Sequence, residues 1–299
     1  MNSQTPLLGK HCVVTGGTGG IGLATARRLV AMGAGVVIVG RDAERGLAAT
    51  LSIREATGRD GAGFLQADLS DLDAVRSVAG AISNRWGHID ILINNAGGMF
   101  GKRQVSQQGL EMTFALNHLG HFLLTGLLLP KLLAAQGGAR IVNVSSEAHR
   151  RVRLNFDDLQ SEKSYQGLLA YSRSKLANLL FTHELARRLN PQRVTVTVNA
   201  LHPGFVATDI GARHGLMPAF VWWLVKFAAL SPGQGAATSI YLARSPDVAD
   251  AHGLYFHKCK PIQPSPAALD SDAALRLWEM SSRLTGMDWV DGVSGQDTV

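Results

Sequence analysis

The stretch Cys12-Val13-Val14-Thr15-Gly16-Gly17-Thr18-Gly19-Gly20-Ile21-Gly22 puts five glycines into seven positions directly after a short apolar run. Two glycine patterns fit it: Gly17, Gly19 and Gly22 spell G-x-G-x-x-G, whereas Gly16, Gly20 and Gly22 spell G-x-x-x-G-x-G. The strand decides between them. In a nucleotide-binding turn the first glycine directly follows the last strand residue. That residue is Thr15, and G-x-G-x-x-G begun at position 16 fails at Thr18 and Ile21. Gly16, Gly20 and Gly22 are therefore expected to serve the turn, the approach of a phosphate and helix packing, with Gly17 and Gly19 as additional slack. Such a loop brings backbone N–H groups and a helix N-terminus to a pyrophosphate.

Outward from this loop, strand-like runs alternate with helical stretches. The runs are HCVVT, GVVIVG, GFLQADL, IDILINNAG, RIVNVSS, VTVTVNALHP and GLYFHKC, with helices around 107–135, 166–190 and 232–244 among the later ones. Alternation of this kind predicts an α/β doubly wound Rossmann fold, with a seven-stranded parallel sheet and helices on both faces. Ser70 is expected to cap a helix from Asp71 to Trp86, and Ser231-Pro232 to start another. One domain is expected over 1–299: a core over about 8–260, an apolar segment over about 209–231, and a C-terminal helix with a polar tail over about 262–299.

With 46% hydrophobic and 17% charged residues in 299, the chain has ample surface for a core. The net charge of +6 contains no dense basic run, which argues against a nucleic-acid face while suiting a phosphate-bearing ligand. The first ten residues do not read as a signal or membrane anchor, so a cytoplasmic protein with no integral membrane segment is expected. Cys12 and Cys259 lie far apart in apolar runs and are read as reduced, buried thiols. His149 and His202 lack metal-ligand spacing, and no metal is expected.

Chemistry concentrates in GLLAYSRSKLANLLFTHELARRL, which reads as one long helix. Tyr171 and Lys175 are four apart and share a face. An adjacent ammonium favours a phenolate, so Lys175 is expected to lower the pKa of Tyr171. Ser145-Ser146 ends the fifth strand, at the carboxyl edge where open α/β sheets bind ligands. Asn117 is a polar residue within the apolar helical stretch FALNHLGHFLLTGLLLPKLL and, if buried, needs partners such as a water linked to Lys175.

Taken together, Thr15-Gly16-x-x-x-Gly20-Ile21-Gly22, Asn94-Asn95-Ala96-Gly97, Asn117, Ser146, Tyr171-x-x-x-Lys175 and Pro203-Gly204 resemble the short-chain dehydrogenases/reductases in order and spacing. LNHLGHFLLT, RIVNVSSEAH and the long gap from Ser146 to Tyr171 look like the retinol-dehydrogenase-like branch. The resemblance implies an oxidoreductase with Tyr171 as acid-base, Lys175 as phenol tuner and ribose ligand, Ser146 as donor to a carbonyl oxygen, and Asn117 as proton-relay anchor. It also implies a cofactor site of Gly16, Thr18, Gly20, Ile21, Gly22, Arg41, Asp68, Leu69, Asn95, Ala96, Gly97, Tyr171, Lys175, Pro203, Gly204, Val206 and Thr208.

In that family an acid at the Gly40 position resembles NAD preference, and small residues followed by arginine resemble NADP preference. Val39-Gly40-Arg41-Asp42 favours NADP(H), with Arg41 pairing with the 2′-phosphate. Alternatively, Arg41 is a solvated charge, Asp42 a helix cap and Asp68 a turn residue. The segment GLMPAFVWWLVKFAALSP implies a flap over a small hydrophobic or aromatic carbonyl or alcohol substrate, or else packing on the body or a partner subunit. A homodimer or homotetramer is the family-like assembly. A silent NADP(H)-binding sensor or scaffold, and a reductase of the light-dependent protochlorophyllide type, are the competing readings.

Overall fold

The computed structural model describes residues 6–189, 195–205 and 230–289. The sheet has the order β3-β2-β1-β4-β5-β6-β7-β8. Its strands are β1 (His11–Thr15), β2 (Gly35–Gly40), β3 (Ala62–Gln66), β4 (Ile91–Asn94), β5 (Ala139–Val144), β6 (Val196–Leu201), β7 (Tyr255–His257) and β8 (Lys260–Pro261). The helices are α1 (Gly20–Ala31), α2 (Ala43–Thr57), α3 (Leu72–Arg85), α4 (Met112–Leu133), α5 (Gly167–Arg188), α6 (Pro232–Arg244) and α7 (Ser271–Thr285).

The seven expected strands are parallel, as read from the sequence. The eighth is a correction: β8 pairs antiparallel with β7 through His257 and Lys260. Between them, Lys258 and Cys259 adopt φ of 48° and 59°, which reverses the chain within what reads as one apolar run. Cys259 therefore sits in a partly exposed turn, whereas Cys12 is buried as expected.

Alternation along each strand divides the interior into two cores. Val13, Leu92, Ile141 and Val198 face α3, α4, α5 and α7. Val14, Ile93, Val142 and Leu201 face α1, α2 and α6. Helix α4 is apolar all round and long enough to cross a membrane, but 83% of its apolar window is buried in this structure. Its surface, like that of α5, goes into the core. Helix α7 closes that core, with Trp278 against Phe122 and beneath the Arg188 guanidinium.

Helix starts follow their polar residues, with one shift. Asp71 rather than Ser70 caps α3, its carboxylate accepting from Asp73 N–H at 3.0 Å. Ser70 turns back to Asp68 instead. Ser231 and Gln234 form a reciprocal capping box at α6. Helix α4 begins after Glu111, whose carboxylate caps its first turn, and Ala115–Leu119 form a π turn within it. The extra residue in that turn rotates the side chains relative to a regular helix. Asn117 lies inside it.

Candidate active site

The expected glycine register agrees with the backbone. Gly16 and Gly20 have φ of 66° and 53°, a region open to glycine at little cost. A Cβ on Gly22 would lie 2.3 Å from the Gly16 carbonyl oxygen, so Gly22 lets α1 pack on its own loop. Gly17 is not slack: its Cβ would lie 2.6 Å from Ile38 on β2. Beneath the loop, Thr15 Oγ1 accepts from the N–H groups of Asn95 and Ala96 at 2.8 and 2.9 Å. Asn95 Nδ2 donates to the Thr15 carbonyl at 2.8 Å. The ends of β1 and β4 are thereby tied into one frame.

The start of α1 fits a diphosphate on two observations. Gly19 offers no side-chain cap and the first turn holds no acid, whereas Asp42, Asp71 and Asp270 cap α2, α3 and α7. Its first N–H groups thus keep a partial positive charge unclaimed by any side chain of their own. The glycines also bring backbone to the surface of this cradle. At the end of β2, a Cβ on Gly40 would lie 2.6 Å from Thr18 Cγ2, so an acid there would displace Thr18. Asp42 is a cap, accepting from Arg45 N–H at 3.0 Å, and Arg41 is exposed. Asp68 accepts from the backbone N–H and the hydroxyl of Ser70, and Leu69 is buried with its carbonyl against Gly120.

Strand β5 and helices α4 and α5 bring Asn117, Ser146, Tyr171 and Lys175 together. Ser145 is buried and donates to the Lys175 carbonyl at 2.7 Å. Ser146 Oγ accepts from Ala148 N–H at 3.3 Å and is the side chain that acts on the Tyr171 phenol. Lys175 is buried, with Nζ donating to the Val144 carbonyl at 3.1 Å and standing 5.7 Å from the Tyr171 ring centroid. Burial pushes Lys175 down to about 8. Burial also raises the Tyr171 pKa, with Ser146 the contact opposing it. The expected lowering by Lys175 is thus not the governing effect: desolvation of the phenolate outweighs it.

Asn117 is completely buried and its carboxamide forms a clamp. Oδ1 accepts from Gly98 N–H at 2.8 Å, and Nδ2 donates to the Gly98 carbonyl at 2.9 Å and to Ser174 Oγ at 2.8 Å. Ser174 in turn donates to the Tyr171 carbonyl at 2.7 Å. The π turn thus ties the loop after β4 to the turn of α5 that carries Tyr171 and Lys175. A Cβ on Gly97 would lie 3.2 Å from both Asn117 Oδ1 and Lys175 Nζ. Ser174 is the contributor the sequence reading passes over, and Thr15 enters that reading only as the end of the strand, not for its hydroxyl; the signal for each is a hydroxyl on a buried face.

Pro203 and Gly204 follow β6, with Gly204 at φ 81°. Val206, Thr208 and the apolar residues Met217, Phe220, Trp222, Trp223 and Phe227 lie outside the described residues. Neighbouring histidines are accounted for structurally. His149 Nδ1 meets the Ser146 carbonyl at 2.7 Å and its Nε2 accepts from Ser265 N–H at 3.1 Å. His202 stacks on His257 at 3.9 Å. Arg150 pairs with Glu147 and donates to the Gln263 carbonyl, while Arg151 and Arg153 are exposed.

Comparison with known proteins agrees with this arrangement. The family model for short chain dehydrogenases matches residues 10–217. Retinol dehydrogenase 14 of Mus musculus is 43% identical over 293 residues, covering 93% of this chain and 86% of that protein. Retinol dehydrogenase 13 of Homo sapiens is 42% identical over 297 residues, covering 96% and 87%. Among solved structures, an uncharacterized protein from Mycobacterium Paratuberculosis superposes with a TM-score of 0.79 at 32% identity, covering 96% of this chain and 97% of that one. The chain belongs to the short-chain dehydrogenase/reductase family of oxidoreductases, in its retinol-dehydrogenase-like branch.

Proposed function

We propose that the protein is an NADP(H)-dependent alcohol dehydrogenase/carbonyl reductase acting on a small hydrophobic or aromatic molecule. The observation that carries this reading is the meeting of Ser146, Tyr171 and Lys175 at the carboxyl edge of the sheet, on the side where α1 presents an uncapped N-terminus. Gly16, Thr18, Gly20, Ile21 and Gly22 would hold the pyrophosphate, Arg41 the 2′-phosphate, and Asn95 to Gly97 with Pro203 to Thr208 the nicotinamide half. When bound, the nicotinamide supplies or accepts the hydride.

In the reducing direction Tyr171 Oη donates its proton to the substrate carbonyl oxygen, and Ser146 Oγ donates a hydrogen bond to the same oxygen. Hydride on carbon and proton on oxygen together give the alcohol. The Lys175 ammonium, charged below about pH 8, stabilises the phenolate left behind. In oxidation the same phenolate takes the alcohol proton. Asn117 holds the loop after β4 against this turn, and its place as anchor of a proton relay belongs to the same proposal.

An apolar substrate is supported by two exposed hydrophobic residues at this edge. Leu168 lies one turn before Tyr171 at 65% exposure, and Phe205 follows Gly204 at 62%. The retinol dehydrogenase names of the relatives point the same way. The test is oxidation of NADPH and NADH by purified protein against aromatic, steroidal, retinoid and aliphatic carbonyls. NADPH-dependent turnover of apolar carbonyls is expected. Higher efficiency with NADH would remove the role given to Arg41, and tight NADPH binding without turnover would favour a silent sensor or scaffold.

A further inference from the structure

Ser146 opens a 3-10 turn over Glu147–Arg151, and within that turn His149 is completely buried. Its ring touches two parts of the chain. Nδ1 lies 2.7 Å from the Ser146 carbonyl oxygen, which also accepts from His149 N–H at 3.2 Å. On the other side of the ring, Nε2 accepts from Ser265 N–H at 3.1 Å, across 116 residues of chain. The buried Tyr255 ring stands at 83° to the imidazole with centroids 5.2 Å apart, and walls it in.

These partners fix the tautomer. A carbonyl only accepts and a peptide N–H only donates, so Nδ1 carries the proton and Nε2 the lone pair. An imidazolium would offer no acceptor to Ser265 N–H, and burial pushes the His149 pKa below its ordinary 6.5. The neutral ring therefore bridges two backbones with one donor and one acceptor. One is the Ser146 peptide, whose side-chain oxygen accepts from Ala148 N–H at 3.3 Å and leaves its own proton for another acceptor. The other is the segment after β8, buried at Ser265 and held a second time where Arg150 Nη2 donates to the Gln263 carbonyl at 2.8 Å.

A hydroxyl that must meet a carbonyl oxygen is aimed by the backbone of its own residue, and a small misplacement is costly in turnover. Ser146 is extended, at φ −154° and ψ 152°, and rotation of its carbonyl would change that conformation. We propose that His149 is a positioning residue for Ser146: its Nδ1–H holds the Ser146 carbonyl, and through Nε2 the segment after β8 braces that hold. The inference rests on the reading of Ser146 as donor to the substrate carbonyl oxygen. The aim of the serine then depends on the C-terminal part of the chain as well as on β5.

The test is a double-mutant cycle over wild type, His149→Ala, Ser146→Ala and the double variant, read as kcat and KM for reduction of benzaldehyde and retinaldehyde at saturating NADPH. His149→Ala should lower kcat roughly tenfold, as loss of one hydrogen bond in the transition state does, with KM unchanged. NADPH affinity from a fluorescence titration should also be unchanged. In the Ser146→Ala background the same substitution should cost no further turnover. His149→Asn keeps a donor near the place of Nδ1 and should retain most of the turnover, whereas His149→Gln, which keeps an acceptor near the place of Nε2, should not. These two variants decide the matter if the alanine variant does not fold. Equal kcat losses in the two backgrounds, or losses in the Asn and Gln variants that follow melting temperature alone, would overturn the role of His149 and leave the proposed reaction standing. Wild-type protein that binds NADPH and reduces none of the carbonyls tested would overturn both.

Discussion

At the amino ends of β1 and β4, Asp90 is buried with its carboxylate engaged by Lys10 Nζ at 2.7 Å and His11 N–H at 2.8 Å, while His88 Nε2 lies 3.3 Å away. At the carboxyl ends of the same strands, Thr15 and Asn95 bind backbone groups, and the donors beyond them belong to an uncapped helix, two hydroxyls and exposed arginine. His11, His88 and Asp90 bring potential metal-ligand atoms within 4.8 Å of one another, yet the carboxylate they would share already serves Lys10 and His11. One edge spends its charges on joining strands. The other spends its buried polar atoms on a frame and leaves the remaining donors for the phosphate and carbonyl of the proposed reaction.

Five substitutions and one change of pH break or sharpen this contrast. Tyr171→Phe should lower turnover by roughly 10²–10⁴-fold, the range for loss of a positioned acid-base group, with NADPH binding retained in a fluorescence titration. Full turnover in that variant would end the proton path proposed here.

Acidification should act on the two buried histidines of α4, of which His121 reaches Thr15 and His118 bonds Ser281 on α7. Burial pushes His118 and His121 down to about 3 from an ordinary 6.5. Between these values the unfolded chain takes up protons that the folded chain does not, so stability falls as pH drops below 6.5. The loss from pH 7 to pH 5 should be on the order of 2 kcal/mol for each histidine, read from urea unfolding. His118→Gln should flatten that acid slope; the same slope in the variant would contradict it.

The amino edge should respond in stability alone. Asp90→Ala should cost about 2 kcal/mol, less than a fully buried pair because Lys10 is 38% exposed and regains water. Cofactor affinity of the folded protein should be unchanged, and a large loss of affinity would show that the two edges are coupled. The smallest effect separates neighbouring serines. Ser145→Ala removes one hydrogen bond to the Lys175 carbonyl and should cost about 1 kcal/mol of stability. Ser146→Ala should lower turnover with little change in melting temperature. The reverse outcome would exchange their roles.

Much of this was readable from residues. The position of Thr15 settled the glycine register, and period-two alternation with intervening helices gave the parallel sheet. The strand end at Ser145-Ser146 and the four-residue spacing of Tyr171 and Lys175 are local properties legible in the sequence, whereas the choice of Ser146 over Ser145 and the roles of all three follow from the family resemblance. The parts that escaped depend on contacts distant in the chain or on backbone detail. Nothing in FALNHLGHFLL marks a π turn, since a helix apolar on every side has no face for an extra residue to disturb. Gly17 looked redundant until Ile38 was placed against it. Desolvation, which raises the Tyr171 pKa against the influence expected of Lys175, is set by packing that no local spacing reports.

The central claim, hydride exchange with an apolar carbonyl at Tyr171, is tested most directly by isotope transfer. The purified protein is given NADPH carrying deuterium at one or the other face of nicotinamide C4, together with aromatic, retinoid and aliphatic aldehydes, and the alcohols are analysed by mass spectrometry. The account predicts deuterium on the carbinol carbon from one of the two labelled cofactors, and its loss in Tyr171→Phe. Bound NADPH with no label reaching any alcohol would contradict it.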